Sequence, residues 1–92
     1  MIKSWKHKGL KLFFETGNKS GIIAEHEKRL RIILQRLSAA VKPEDMNTPG
    51  MNFHKLKGDL KGFYAITVRA NWRIVFKFNN QDAEEVNYLD YH

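Results

Sequence analysis

The chain has 92 residues, 42% of them hydrophobic, with two tryptophans and no cysteine. That length fits one domain (residues 1–92) with a modest core, the composition excludes a disordered chain, and the missing cysteines exclude a disulfide framework or a thiolate-held zinc. Sixteen Lys and Arg against ten Asp and Glu leave a net charge of +6, which fits either a polyanionic partner such as nucleic acid or a solubilising surface.

The opening run MIKSWKHKGLKLFF has no uncharged apolar stretch, so it reads neither as a signal peptide nor as a membrane span. A soluble, cytoplasmic protein with no membrane partner is expected. Residues 2–5 suggest a short first strand. Over residues 6–16, Leu10, Phe13 and Phe14 recur at helical spacing, and Gly17-Asn18 ends that helix. A second helix is predicted over residues 24–41, where Leu30, Ile33, Leu34, Leu37 and Val41 form the apolar stripe and Pro43 forms the stop. The stretch KPEDMNTPG, residues 42–50, reads as a loop.

Beyond Gly50 the periodicity falls to two. Residues 51–56, 63–68, 74–78 and 84–89 each read as a strand, joined by connections short enough for antiparallel neighbours. The expected fold class is therefore α+β: two N-terminal helices packed on one face of an antiparallel sheet of four to five strands, with the other face free.

Chemically capable residues concentrate in this second half. His54 and Lys57 lie on or just after one strand, Arg69 and Arg73 bracket the hairpin turn, and Asp90, Tyr91 and His92 close the chain. Taken singly, each has an ordinary structural explanation, such as a half-exposed strand histidine, a loop cation or a fraying end. Together, if the strands follow a meander, they converge on one patch, with Asp90, Tyr91 and His92 ordered and facing His54 and Arg73. They then make a kit for cleaving a phosphodiester without metal. Imidazoles move protons, and guanidinium or ammonium groups stabilise charge building on phosphate oxygens. No DxD-type or HxxxH metal spacing and no glycine-rich phosphate loop is present, so no metal or cofactor is expected.

The run HKLKGDLKGFYAITVRANWRIVFKF, followed by DAEEVNYLDYH, resembles the HigB branch of the RelE/ParE superfamily of bacterial toxins. The likeness extends over essentially the whole chain. Its most specific elements are Leu56-Lys57-Gly58-Asp59, Asn71-Trp72-Arg73 and Asp90-Tyr91-His92. The resemblance implies a compact RelE-like domain with a curved sheet, and a toxin of a type II toxin–antitoxin pair. It further implies cleavage of mRNA in the ribosomal A site by 2′-OH attack, and no cofactor. The implied partners are a helix-turn-helix antitoxin, the ribosome with its RNA, the mRNA, and promoter DNA through the toxin–antitoxin complex. His54, Arg73 and His92 fall on the family's catalytic positions, with Asp90 and Tyr91 beside them and Lys57 and Arg69 as RNA or phosphate contacts. Lys55 stands where proline is common in that family. Two other readings compete: a ParE-like gyrase inhibitor, which has no need of His54 and His92, and a non-catalytic RNA-binding module, which leaves the terminal Asp-Tyr-His unexplained.

Overall fold

The computed structural model describes residues 1–90. Helix α1 spans Lys8–Thr16 and α2 spans Glu27–Ala39. The sheet strands are β1, His54–Lys55; β2, Tyr64–Arg69; β3, Trp72–Asn79; and β4, Asp82–Asp90. The α+β architecture is as expected, and the strands form an antiparallel meander in the order β1-β2-β3-β4.

Local chemistry sets the helix bounds. His7 Nδ1 accepts the N–H of Leu10 at 2.9 Å and so caps α1. At the other end Gly17 takes a left-handed φ of 80° and donates its N–H to the Phe13 carbonyl. Helix α2 starts later than its apolar stripe suggests, because Ala24–His26 form a 3-10 turn that feeds it. It also ends earlier, at Ala39. The Asp45 carboxylate accepts the N–H groups of Val41 and Lys42, which draws those residues out of the helix ahead of Pro43. Val41 is consequently exposed rather than part of the buried stripe.

The main core lies between the helices and one face of the sheet. Leu10, Leu30, Ile33, Leu34 and Leu37 meet Ile66, Ile74, Phe76 and Val86 there, all fully buried. The N-terminal segment is not a regular strand. It makes two isolated bridges, Ile2 to Ala83 and Trp5 to Val86, and both are parallel to β4.

Two irregularities bend the sheet. Between Thr67 and Arg69 one residue of β2 is unmatched on β3. Between Val75 and Lys77 the β4 strand carries an extra residue, and Glu85 there adopts a φ of 52°. Such bulges sharpen twist and curvature. The expected strand over residues 51–56 is reduced to two residues. Asn52, at φ 49°, breaks the extended run, and its side chain donates to Thr67 Oγ1 at 2.8 Å. Nor is the second sheet face wholly polar, since Leu56, Ala65 and Val75 form a small second core with Leu60, Phe63 and Leu89.

Candidate functional site

Cross-strand pairing places the candidate residues. In an antiparallel sheet, residues directly opposite one another share a face. His54 lies opposite Ala65, Ala65 opposite Val75, and Val75 opposite Asn87. The next row runs from Thr67 to Arg73 to Leu89. Both rows belong to the face away from the helices, because Ala65, Val75 and Leu89 form the second core. His54 and Arg73 are thus on one surface, two strand spacings (about 10 Å) apart and offset by one pair along the strands (about 7 Å).

Both side chains are held. His54 is exposed, and its Nδ1 lies 3.0 Å from the Asn52 carbonyl. A carbonyl only accepts, so in the neutral ring Nδ1 carries the proton and Nε2 keeps the lone pair. Arg73 is half-buried, and one terminal nitrogen donates to the carbonyls of Ala70 at 2.6 Å and Trp72 at 3.2 Å. A guanidinium has five N–H donors, so this anchoring leaves others for an anion.

Asn52 and Thr67, which sequence reading passed over, brace this surface. The Asn52–Thr67 side-chain bond joins the segment before β1 to the row containing Arg73, and the Thr67 N–H donates to the Met51 carbonyl at 3.2 Å. Beneath them Arg29 spans from α2, donating to the carbonyls of Thr67 and Gly50. Arg29 is therefore a structural clamp. Only the alternating polar position of Thr67 hinted at this arrangement in the sequence.

Asp90 and Arg69 fall elsewhere. Trp72 lies opposite both Arg69 and Asp90, and Trp72 packs against the main core. The pleat therefore puts Asp90 and Arg69 in the row on the helix side of the sheet. The expectation that Asp90 faces His54 and Arg73 is corrected to that extent. Arg69 lies within electrostatic reach of the buried His26 rather than beside Arg73. Lys57 is exposed and opens the 3-10 turn Gly58–Leu60, just past β1. Tyr91 and His92 lie outside the described residues.

A buried polar cluster, also missed in the sequence, underlies the ends of β3 and β4. His26 Nδ1 and the Tyr88 hydroxyl are 2.6 Å apart, and the Trp72 ring packs 4.8 Å from Tyr88 and 5.8 Å from His26. Burial lowers the His26 pKa, reinforced by the Arg69 charge and opposed by Glu25. Burial also raises the Tyr88 pKa, against the hydrogen bond from the Ile23 backbone. Both shifts favour neutral forms, with the Tyr88 O–H donating to Nδ1. Among the described residues, no three His, Cys, Asp or Glu side chains gather as a metal-binding group, and no helix is long and apolar enough to cross a membrane.

Comparison with known proteins identifies the family and the fold. The profile of a family described as RelE-like toxin of type II toxin-antitoxin system HigB matches residues 3–92. The chain is 51% identical over 92 residues to Endoribonuclease HigB of Proteus vulgaris, with both chains fully covered. It is 34% identical over 95 residues to Toxin HigB-1 of Vibrio cholerae serotype O1, covering all of this chain and 98% of that one. Among solved structures, the YoeB-YefM toxin-antitoxin heterotetramer of Staphylococcus aureus contains a similar fold. Its TM-score is 0.63 at 14% identity, covering 100% of this chain and 98% of that one.

Proposed function

The chain belongs to the HigB family of RelE-like toxins of type II toxin–antitoxin systems, and from that premise we propose that residues 1–92 act as one toxin domain, a metal-independent endoribonuclease that cleaves mRNA on the ribosome in the cytoplasm. The observation that carries the reading is the pairing of two unlike groups on one sheet face. His54 keeps Nε2 clear of its bond to the Asn52 carbonyl, so its neutral ring presents a base there, and Arg73 is a cation with spare donors held by backbone carbonyls.

The chemistry follows from that pair. His54 Nε2 takes the proton of a ribose 2′-OH as O2′ attacks the adjacent phosphorus. The P–O2′ bond forms and the P–O5′ bond breaks, leaving a 2′,3′-cyclic phosphate and a 5′-OH. Arg73 stabilises charge on the non-bridging oxygens, with Lys57 as a further phosphate contact. His92 supplies the proton to the departing O5′, Asp90 orients an imidazole from the end of β4, and Tyr91 positions a base. Arg69 holds phosphate outside the central pair. A helix-turn-helix antitoxin neutralises the toxin, and promoter DNA is met only through their complex.

Controlled expression in cells with mapping of 5′-OH RNA ends tests this reading. Wild type produces new ends within coding regions, while His54→Ala and Arg73→Ala produce few. The absence of such ends with wild type overturns the endoribonuclease reading.

A further inference from the structure

Part of the positive charge nominated by composition is already paired within the fold. Lys3 pairs with Asp82, Lys19 and Arg31 with Glu27, and Lys6 and Lys77 with Glu85. Arg29 donates to backbone carbonyls and Arg36 to the Thr48 hydroxyl. Lys55, Lys57 and Lys61 are among the cations without such a pair, and they lie together. Among the described residues no carboxylate lies within 4.0 Å of their ammonium groups, and the acid in the same turn, Asp59, pairs with none of them.

These three lysines surround an open groove of about 360 Å³, floored by Leu56, Phe63 and Tyr64. The groove sits where β1 ends, so Lys55 follows His54 directly. Its rim depends on two glycines, Gly58 at φ 67° and Gly62 at φ 93°, which let the chain turn twice without side chains filling the opening. The Phe63 ring is also flanked by the ammonium groups of Lys6 and Lys77, 5.7 and 5.9 Å from its centre, which share the single carboxylate of Glu85. The groove itself therefore gathers three ammonium groups with no carboxylate beside them among the described residues.

We propose that this groove is a binding site for single-stranded RNA, taking a nucleotide that flanks the cut, with its base against Phe63 and Leu56 and neighbouring phosphates on Lys55, Lys57 and Lys61. An apolar, partly aromatic floor with a cationic rim matches the way single strands are held without sequence choice. Leu56 and Phe63 share the face of His54, while Lys55, opposite Tyr64, lies on the other. The groove therefore wraps the sheet edge beside His54, and one strand can run over that edge to the catalytic face. This inference rests on the endoribonuclease reading for its choice of ligand.

The test uses a labelled 2′-O-methyl RNA of about eight nucleotides, which binds but cannot be cut, titrated against the intact protein over a range of salt. For single strands the log–log salt slope changes by about 0.7 per phosphate contact, so Lys55→Gln/Lys61→Gln lowers the slope magnitude by about 1.4. Phe63→Leu, which keeps an apolar floor, weakens binding roughly fivefold with little change in slope. Lys28→Gln/Lys42→Gln removes the same charge from other exposed positions and leaves the slope near that of wild type. Unchanged affinity and slope in Lys55→Gln/Lys61→Gln overturns the proposal. If the same variant binds RNA normally but the purified antitoxin poorly, the groove belongs to a protein contact and the proposal is likewise overturned. Cleavage is not read in this assay, so failure of the endoribonuclease reading shows separately, in the mapped RNA ends.

Discussion

His26 and Tyr88, 62 positions apart in sequence, share a 2.6 Å hydrogen bond inside the molecule. It fastens the turn before α2 to the strand whose end carries Asp90. Tyr88→Phe removes the hydroxyl and leaves the His26 ring nitrogen and the Ile23 N–H without it as a partner. The expected loss is about 1–3 kcal/mol, measured by urea unfolding with a lowered midpoint and an unchanged m-value.

The same cluster makes stability depend on pH. Burial lowers the pKa values of both His26 and His7 from the ordinary 6.5. As pH falls through that value, the unfolded chain takes up protons at these sites before the folded chain does. Stability is therefore fully present above about pH 6.5 and is lost as pH falls below it towards the lowered folded values. Protonated His7 could no longer accept the Leu10 N–H, so the α1 cap is lost in the same window. Urea midpoints should fall between pH 7 and pH 5, and His7→Asn/His26→Gln should flatten that decline.

Arg29 gives a different kind of prediction, since its guanidinium joins Thr67 to Gly50 beneath the segment that leads to His54. Arg29→Lys keeps the charge but cannot reproduce the fork. It should destabilise by roughly 1–3 kcal/mol. Because Gly50 and Thr67 fix the path of Met51 and Asn52, RNA cleavage should also fall more than the fraction unfolded explains. Cleavage assayed well below the urea midpoint checks this.

Gly9 and Gly21 bring α1 and the following connection into contact, since a Cβ on Gly21 would lie 2.5 Å from the Gly9 Cα. No flexible side chain can yield there, because the neighbour is backbone. Gly21→Ala should cost about 1–3 kcal/mol, seen as a lower thermal midpoint with the catalytic face unaltered.

Much of this organisation was legible in the sequence. The apolar stripe from Leu30 to Leu37 and the alternation from Phe63 onward specified two helices and a meander, because burial on one face imposes those periods. Short connections such as Ala70-Asn71 made antiparallel order nearly obligatory. What stayed hidden depended on tertiary contact. Asn52 breaks the first strand through its bond to Thr67, Asp45 shortens α2 through Val41 and Lys42, and the extra residue at Glu85 has no local signal. At the site, residue types nominated His54 and Arg73 together with Asp90 and Arg69, and only the register could separate the two pairs by face. His26 carries no local signal of burial and is buried because its partners come from β3 and β4.

Arg73 is held to backbone carbonyls of its own hairpin and keeps other N–H donors for an anion, so its substitution should be felt in the transition state more than in folding. Arg73→Lys should lower the rate of cleavage by about 10²–10³, as expected for removing a positioned charge donor, while changing unfolding by less than about 1 kcal/mol. Single-turnover kinetics on programmed ribosomes give the first quantity, and urea unfolding gives the second.

The central claim is that a ribose 2′-OH, activated by His54, is the nucleophile. Its most direct test is cleavage of a ribosome-bound mRNA carrying one 2′-deoxy nucleotide on the 5′ side of the mapped cut. The prediction is that the all-ribose message yields a 2′,3′-cyclic phosphate and a 5′-OH, whereas the single 2′-deoxy substitution abolishes that cut. Continued cleavage at the 2′-deoxy position, or ends bearing a 5′-phosphate, would contradict the mechanism.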